Sequence, residues 1–204
     1  IGDLPNLQVL TLWQNNFSGP VPRHLGRNGQ LLELDLSSNS FHGSIPPHLC
    51  KGRKLTRLIL LRNRFSGPIP RGIADCPKLV RVRMGDNMLS GPIPHGLLSL
   101  PELDLLEIPR NRLDGGIPSI NTMDPSSPSK LGSLDLSQNK LSGPLPSSIG
   151  SLSGLVGLDL SGNHITGAMP VEIGSLKHLA KLDLSGNLMN GSLPLTITRC
   201  SSLA

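Results

Sequence analysis

Tyrosine is absent from this 204-residue chain, and aromatic residues make up only 2% of it: three Phe and one Trp. Only Trp13 could stack on a nucleic-acid base, which weighs against single-stranded nucleic acid as a partner. No run of 18 apolar residues occurs, so no stretch of the chain reads as a membrane-spanning helix. The chain opens on Ile1 rather than Met and shows no basic-plus-apolar leader, so it is expected to be an internal piece of a longer product. Large aliphatics are not scarce, since Leu alone is about a fifth of the residues. That excludes the disorder which 23 Gly and 19 Pro would otherwise suggest. Apolar character concentrated in one residue type, with breakers in two others, points to a periodic chain.

The period is explicit. Asn recurs at 15, 39, 63, 87, 111, 139, 163 and 187, every gap being 24 except one of 28. Each Asn sits in the frame L-x-x-L-x-L-x-x-N-x-[LFIM]-x-G-x-[IVLM]-P, with repeats starting at 7, 31, 55, 79, 103, 131, 155 and 179 and partial repeats at both ends. The L-x-L alternation predicts a short strand with Leu facing inward, and stacked copies predict a parallel sheet. The Asn carboxamides should form a ladder that satisfies backbone groups where each coil turns. Phe17, Phe41 and Phe65 share position 11 and should stack as an internal spine. Gly at position 13 permits a bend, and Pro at 16 stops an α-helix from starting there. The long repeat carries 12 residues, Ser119 to Lys130, where the others have eight, which predicts an irregular convex loop over 119–130.

These residues resemble the leucine-rich repeat, and segments such as Phe65-Ser66-Gly67-Pro68-Ile69-Pro70 and Leu89-Ser90-Gly91-Pro92-Ile93-Pro94 look like its plant-specific class. The resemblance covers essentially the whole chain. It implies an α/β solenoid over 1–204, a twisted arc with short parallel β-strands on the concave face and irregular or 3-10 convex returns.

Cys50, Cys76 and Cys200 are an odd set. Cys50 and Cys76 both fall on the return side, where a disulfide between them or two small buried thiols are both admissible. Asn16 and Asn190 begin N-x-S sequons, making them glycosylation candidates. The six His show no metal-ligand spacing, and no Ser/His/Asp set, phosphate-cradling loop or carboxylate pair argues for an enzyme or a cofactor. Asp35, Asp135, Asp159 and Asp183 are simply the acid of repeated L-D-L-S strands.

All of the +5 net charge belongs to the first half: 14 Lys/Arg against eight Asp/Glu up to Arg112, then five against six. From Lys51 to Arg83 there are ten basic residues and one acid, Asp75. A solvated basic face, or a nucleic-acid surface, would account for that run. Much of the charge, however, falls on convex or lateral positions.

Positions 3, 5, 7 and 8 of each repeat should point off the concave face. In repeats six to eight they are small and generic; in the first five they include Trp13, Arg57, Ile59, Leu61, Arg81, Arg83, Gly85 and Glu107. Large, varied side chains on a plain scaffold mark a binding surface. Within it, Arg62, Asp86 and Arg110 should form an alternating ladder, Arg83 should abut Glu107, and Arg57 can pair with Glu33. Arg81 lies between Arg57 and Leu105, with a like charge beside it and no acid in its row. Arg81-Val82-Arg83 places two guanidinium forks on one face, with Gly85 leaving a notch. That chemistry suits capture of a carboxylate, or it is a solvated Arg pair.

The order Leu10-Thr11-Leu12-Trp13-Gln14-Asn15-Asn16-Phe17, Leu34-Asp35-Leu36-Ser37-Ser38-Asn39 and Arg81-Val82-Arg83-Met84-Gly85-Asp86-Asn87 resembles the CLAVATA/BARELY ANY MERISTEM receptor kinases. The resemblance implies a secreted CLE-like peptide on the concave face, with its free C-terminal carboxylate on Arg81 and Arg83 and its N-terminus toward earlier repeats. Three strand spacings span about 14 Å, room for some four extended residues, so the chain is expected to hold the ligand's C-terminal end. It also implies an extracellular location at the plasma membrane, a leucine-rich repeat co-receptor kinase as partner, and a kinase in the parent but not here. No nucleic acid and no membrane contact by this segment are expected. The alternative is a secreted inhibitor of a cell-wall hydrolase, of the polygalacturonase-inhibitor kind, and a truncated or decoy product is a third. Solenoid ends without caps should make the isolated chain prone to associate.

Overall fold

The computed structural model describes residues 1–121 and 129–203. Eight short strands, one per repeat, form a single parallel sheet: β1 (Val9–Thr11), β2 (Glu33–Asp35), β3 (Arg57–Ile59), β4 (Arg81–Arg83), β5 (Leu105–Glu107), β6 (Ser133–Asp135), β7 (Gly157–Asp159) and β8 (Lys181–Asp183). Each strand pairs only with its sequence neighbours in the repeat, and equal repeat positions face each other. The Leu at positions 1, 4 and 6 turn inward: Leu55, Leu58 and Leu60 are at most 1% exposed.

The Asn ladder forms from Asn39 to Asn187. Each carboxamide accepts the backbone N–H of position 11 in the preceding repeat and donates back to that repeat's position-6 carbonyl. Asn139, for example, accepts from Leu113 at 3.0 Å and donates to Ile108 at 3.0 Å. Asn163 and Asn187 repeat the pattern toward Leu141 and Leu136, and toward Ile165 and Leu160.

Two features go beyond the sequence reading. After each Asn a second short strand forms, and these pair into a five-stranded sheet through Arg112–Leu113 and a three-stranded sheet from Ser142–Pro144 onward. The division coincides with the 28-residue repeat. Position 8 is left-handed in all eight repeats, with φ between 51 and 64°, although six of the eight residues are not Gly. The turn is held because the position-8 N–H reaches the next repeat, as Arg62 does to the Gly85 carbonyl at 2.9 Å. All eight position-13 glycines also have positive φ, which a side chain would resist.

Among the described residues the convex returns contain no α-helix. Five 3-10 turns occur, and Pro70, Pro146, Pro170 and Pro194 cap four of them. Pro at position 16 therefore starts a tight turn rather than merely blocking a helix. Ser119, Ile120, Asn121, Ser129 and Lys130 are described, but 122–128, the centre of the expected convex loop, lies outside the described residues. The Phe rings stack at centroid distances of 6.1 and 6.4 Å. The spine is internal only in part: Phe65 is fully buried and Phe41 nearly so, while Phe17 is 46% exposed because no earlier coil covers it.

Candidate functional site

On the concave face, β1 to β8 offer two rows of outward side chains. Position 3 reads Val9, Glu33, Arg57, Arg81, Leu105, Ser133, Gly157, Lys181; position 5 reads Thr11, Asp35, Ile59, Arg83, Glu107, Asp135, Asp159, Asp183. In β2, β6, β7 and β8 the position-5 Asp accepts from the N–H and hydroxyl of the Ser two residues on, with O···O distances of 2.6–2.7 Å. These bonds brace the approach to the left-handed turn. Repeats one, three, four and five lack that Asp–Ser pair, and those are the repeats that present Trp13, Ile59, Leu61, Arg83 and Glu107.

Arg81 and Arg83 flank fully buried Val82 and are both exposed. Their partners differ. Arg83 Nε donates to Glu107 Oε2 at 2.6 Å. Arg57 meets Glu33 more loosely, at 3.4 Å. Among the described residues Arg81 has no carboxylate within 4.0 Å. It faces Arg57 on one side and Leu105 on the other. A shallow depression of about 290 Å³, lined by Thr56, Arg57, Val80 and Arg81, opens between β3 and β4. A second, of about 260 Å³, has Leu61, Gly85 and Pro109 with Arg62, Arg83 and Arg110 among its walls.

Several expected site features need correction. Ile59 is 6% exposed, so it is part of the floor rather than a free contact. Gly85 leaves no open notch: a Cβ there would lie 3.0 Å from the Pro109 ring, which already occupies the space in the next repeat. The Arg62–Asp86–Arg110 ladder is half formed. Arg110 reaches Asp86 at 3.2 Å, while Arg62 has no carboxylate partner among the described residues. Trp13 is 55% exposed and Leu61 partly so. Trp13 lies three strands, about 14 Å, from β4.

Elsewhere, Cys50 and Cys76 are joined by a disulfide with Cα atoms 5.6 Å apart, linking the returns of repeats two and three, and Cys200 is a buried free thiol. Asn16 and Asn190 are exposed. Among the described residues no group of three His, Cys, Asp or Glu could hold a metal ion, and no helix is long and apolar enough to cross a membrane. A roomier depression of about 630 Å³ lies on the convex side, lined by Arg53, Asp75, His95, Leu100 and Asn121 among others. The concave rows carry more weight as a site, because there large and varied side chains, with Arg57 and Arg81 in register on adjacent strands, stand on a regular sheet.

A parallel solenoid with a varied concave face is a recognition scaffold. Residues 127–189 match the family described as Leucine rich repeat, and residues 6–28 and 30–51 match a second Leucine Rich Repeat family, together more than half of the chain. The chain is a leucine-rich repeat protein. No match was found among curated protein sequences. Among solved structures it is similar to PEPR1 in its complex with AtPEP1 (34% identity, TM-score 0.90, 99% of this chain and 28% of that one). It is also similar to the ectodomain of the Arabidopsis thaliana receptor kinase GASSHO1/SCHENGEN3, crystallised with CASPARIAN STRIP INTEGRITY FACTOR 2 (37%, 0.88, 100% and 24%). A third is the Arabidopsis receptor kinase HAESA with the peptide hormone IDA and the co-receptor SERK1 (36%, 0.85, 95% and 32%). The chain thus spans a quarter to a third of the length of these proteins.

Proposed function

We propose that this chain is an extracellular ligand-binding section of a plant receptor kinase, of the CLAVATA/BARELY ANY MERISTEM type. It holds a small secreted CLE-like peptide on the concave face by the peptide's free C-terminal carboxylate. The observation that carries the reading is Arg81: an exposed guanidinium on a rigid strand, unpaired among the described residues and with a like charge beside it. Such an arrangement is eased by an anion from outside. Similarity to the receptor kinase HAESA, crystallised with the peptide hormone IDA, supports a peptide as the source of that anion. Trp13 and Leu61 offer apolar contact along the same face, and the parent engages a leucine-rich repeat co-receptor kinase. Asn16 and Asn190, with free exposed side chains, carry glycans. No residue of this chain performs phosphotransfer; that step belongs to a kinase in the parent at the plasma membrane.

The test is titration of a CLE-type peptide acid into the wild-type chain and into Arg81→Ala. Loss of one or more charge-assisted hydrogen bonds, each roughly 1.5–3 kcal/mol, should weaken binding about tenfold or more. Unchanged affinity would sink the assignment.

A further inference from the structure

The convex returns fall into two groups by charge. In repeats one to three the returns (23–30, 47–54 and 71–78) hold seven Lys or Arg and one acid, Asp75. In repeats four to eight the corresponding stretches (95–102, 119–130, 147–154, 171–178 and 195–202) hold three cations and three acids. The cations are also engaged differently. Lys130 pairs with Glu102 at 2.7 Å, and Lys177 donates to the Gly174 and Arg199 carbonyls. All seven early cations are exposed, and among the described residues none has a carboxylate within 4.0 Å. Lys54 donates to Gln30 Oε1 at 2.8 Å, which compensates no charge. Local packing sets the three returns side by side. Gly26 meets the backbone of the second return so closely that a Cβ would lie 2.7 Å from the His48 carbonyl oxygen, and Gly52 abuts the Gly29 carbonyl. The Cys50–Cys76 disulfide then ties the second return to the third. Arg27, Lys51, Arg53, Lys54, Arg71 and Lys78 therefore share one fixed strip.

We infer that this strip is a second interaction surface, which docks a linear carboxylate-bearing polysaccharide, a polyuronate, on the return side of repeats one to three. The inference rests on the extracellular location proposed above and not on peptide capture by the concave face. Like charges held on one strip repel, and a polyanion relieves that repulsion at several points at once. The strip offers charge and little else: the exposed large apolar side chains stop at Phe17 and resume only at Met88. It has no aromatic ring to stack on a base and no apolar wedge to enter a bilayer. Its partner must therefore bind through its anions alone, and carboxylates along a polymer supply them to guanidinium and ammonium groups as charge-assisted hydrogen bonds.

Polygalacturonic acid is the probe, with its methyl ester as the neutral control, and binding to the full 204-residue chain is measured. The acid polymer should bind and the ester should not, and raising the salt from ~50 to ~200 mM should weaken binding about tenfold or more as counterions compete. The triple variant Arg27→Gln, Lys51→Gln, Arg53→Gln should weaken binding about tenfold or more, whereas the charge-matched Arg64→Gln, Arg112→Gln, Lys140→Gln should leave it within about threefold. All six side chains are exposed, so both variants keep the fold, which unchanged backbone amide spectra verify. Equal binding of acid and ester would overturn the inference, as would equal weakening by the two triple variants. Tighter binding of duplex DNA or of anionic phospholipid vesicles, compared at equal charge, would overturn it too. Failure of peptide capture is a different result: peptide acid and peptide amide bound equally, with polymer binding intact.

Discussion

Arg83 donates its Nε–H to Glu107 at 2.6 Å, while Arg81, two residues earlier on the same strand, has no carboxylate within 4.0 Å among the described residues. One strand therefore presents a satisfied guanidinium and an unsatisfied one. The satisfied one is already compensated by Glu107; the unsatisfied one is where the proposed carboxylate would gain most.

Glu107→Gln should cost little stability, because an ion pair this exposed contributes roughly 0.2–1 kcal/mol. Urea denaturation should show a midpoint shift within that range with an unchanged slope. A loss of several kcal/mol would mean that Glu107 carries a structural load beyond Arg83.

Asn139→Ala should cost about 2–4 kcal/mol. It strips the Leu113 N–H and the Ile108 carbonyl of their partner in the buried interior, each worth roughly 1–3 kcal/mol when left unsatisfied. Asn15→Ala, at an exposed Asn that bonds only to carbonyls of its own turn, should cost under about 1 kcal/mol. Equal losses in the two variants, measured by chemical denaturation, would refute the ladder as a source of stability.

Most of the fold was legible because the repeat samples the same physical problem eight times. Leu at 1, 4 and 6, Asn at 9 and Gly at 13 each had one role that fits, and each takes it. What could not be read was the second strand after each Asn, whose two to four residues, often ending in Gly or Pro, are too few to show an alternation, and the left-handed position 8, which Arg62, Asp86 and Arg110 occupy without any Gly to announce it. The site was legible as rows, since parallel register makes equal positions neighbours. The pairs Arg83–Glu107 and Arg57–Glu33 were legible in the same way, whereas the capture of Asp86 by Arg110 and not by Arg62 was not, because that depends on side-chain torsions. Strand alternation alone presents Ile59 as exposed and Gly85 as a notch, whereas Ile59 is 6% exposed and the Pro109 ring fills the space beside Gly85.

Removing the Cys50–Cys76 bond should lower stability by roughly 3–4 kcal/mol, the chain-entropy value for closing a loop of 26 residues. The double Cys→Ser variant and the reduced wild type should show matching denaturation midpoints. A midpoint equal to that of the oxidised protein would mean that the link constrains nothing the ladder does not already hold.

Asp183 titrates below the ordinary carboxylate value of 3.8, chiefly because the Ser185 hydroxyl and then the Ser185 N–H donate to its charged form. A depressed carboxylate lends stability that is present above its unfolded value and lost as the pH falls through its folded one. Carbon NMR of the Asp183 carboxyl should show a midpoint below 3.8, and Ser185→Ala should move it upward. A midpoint unmoved by that substitution would remove Ser185 as the cause.

The central claim, capture of a peptide's free carboxylate on the concave face, is tested most directly by calorimetric titration of one CLE-type peptide in two forms, free acid and C-terminal amide. At least a tenfold weaker interaction for the amide is predicted, since the amide keeps every contact except the charge-assisted bonds to guanidinium. Equal affinity for the two forms would contradict the account.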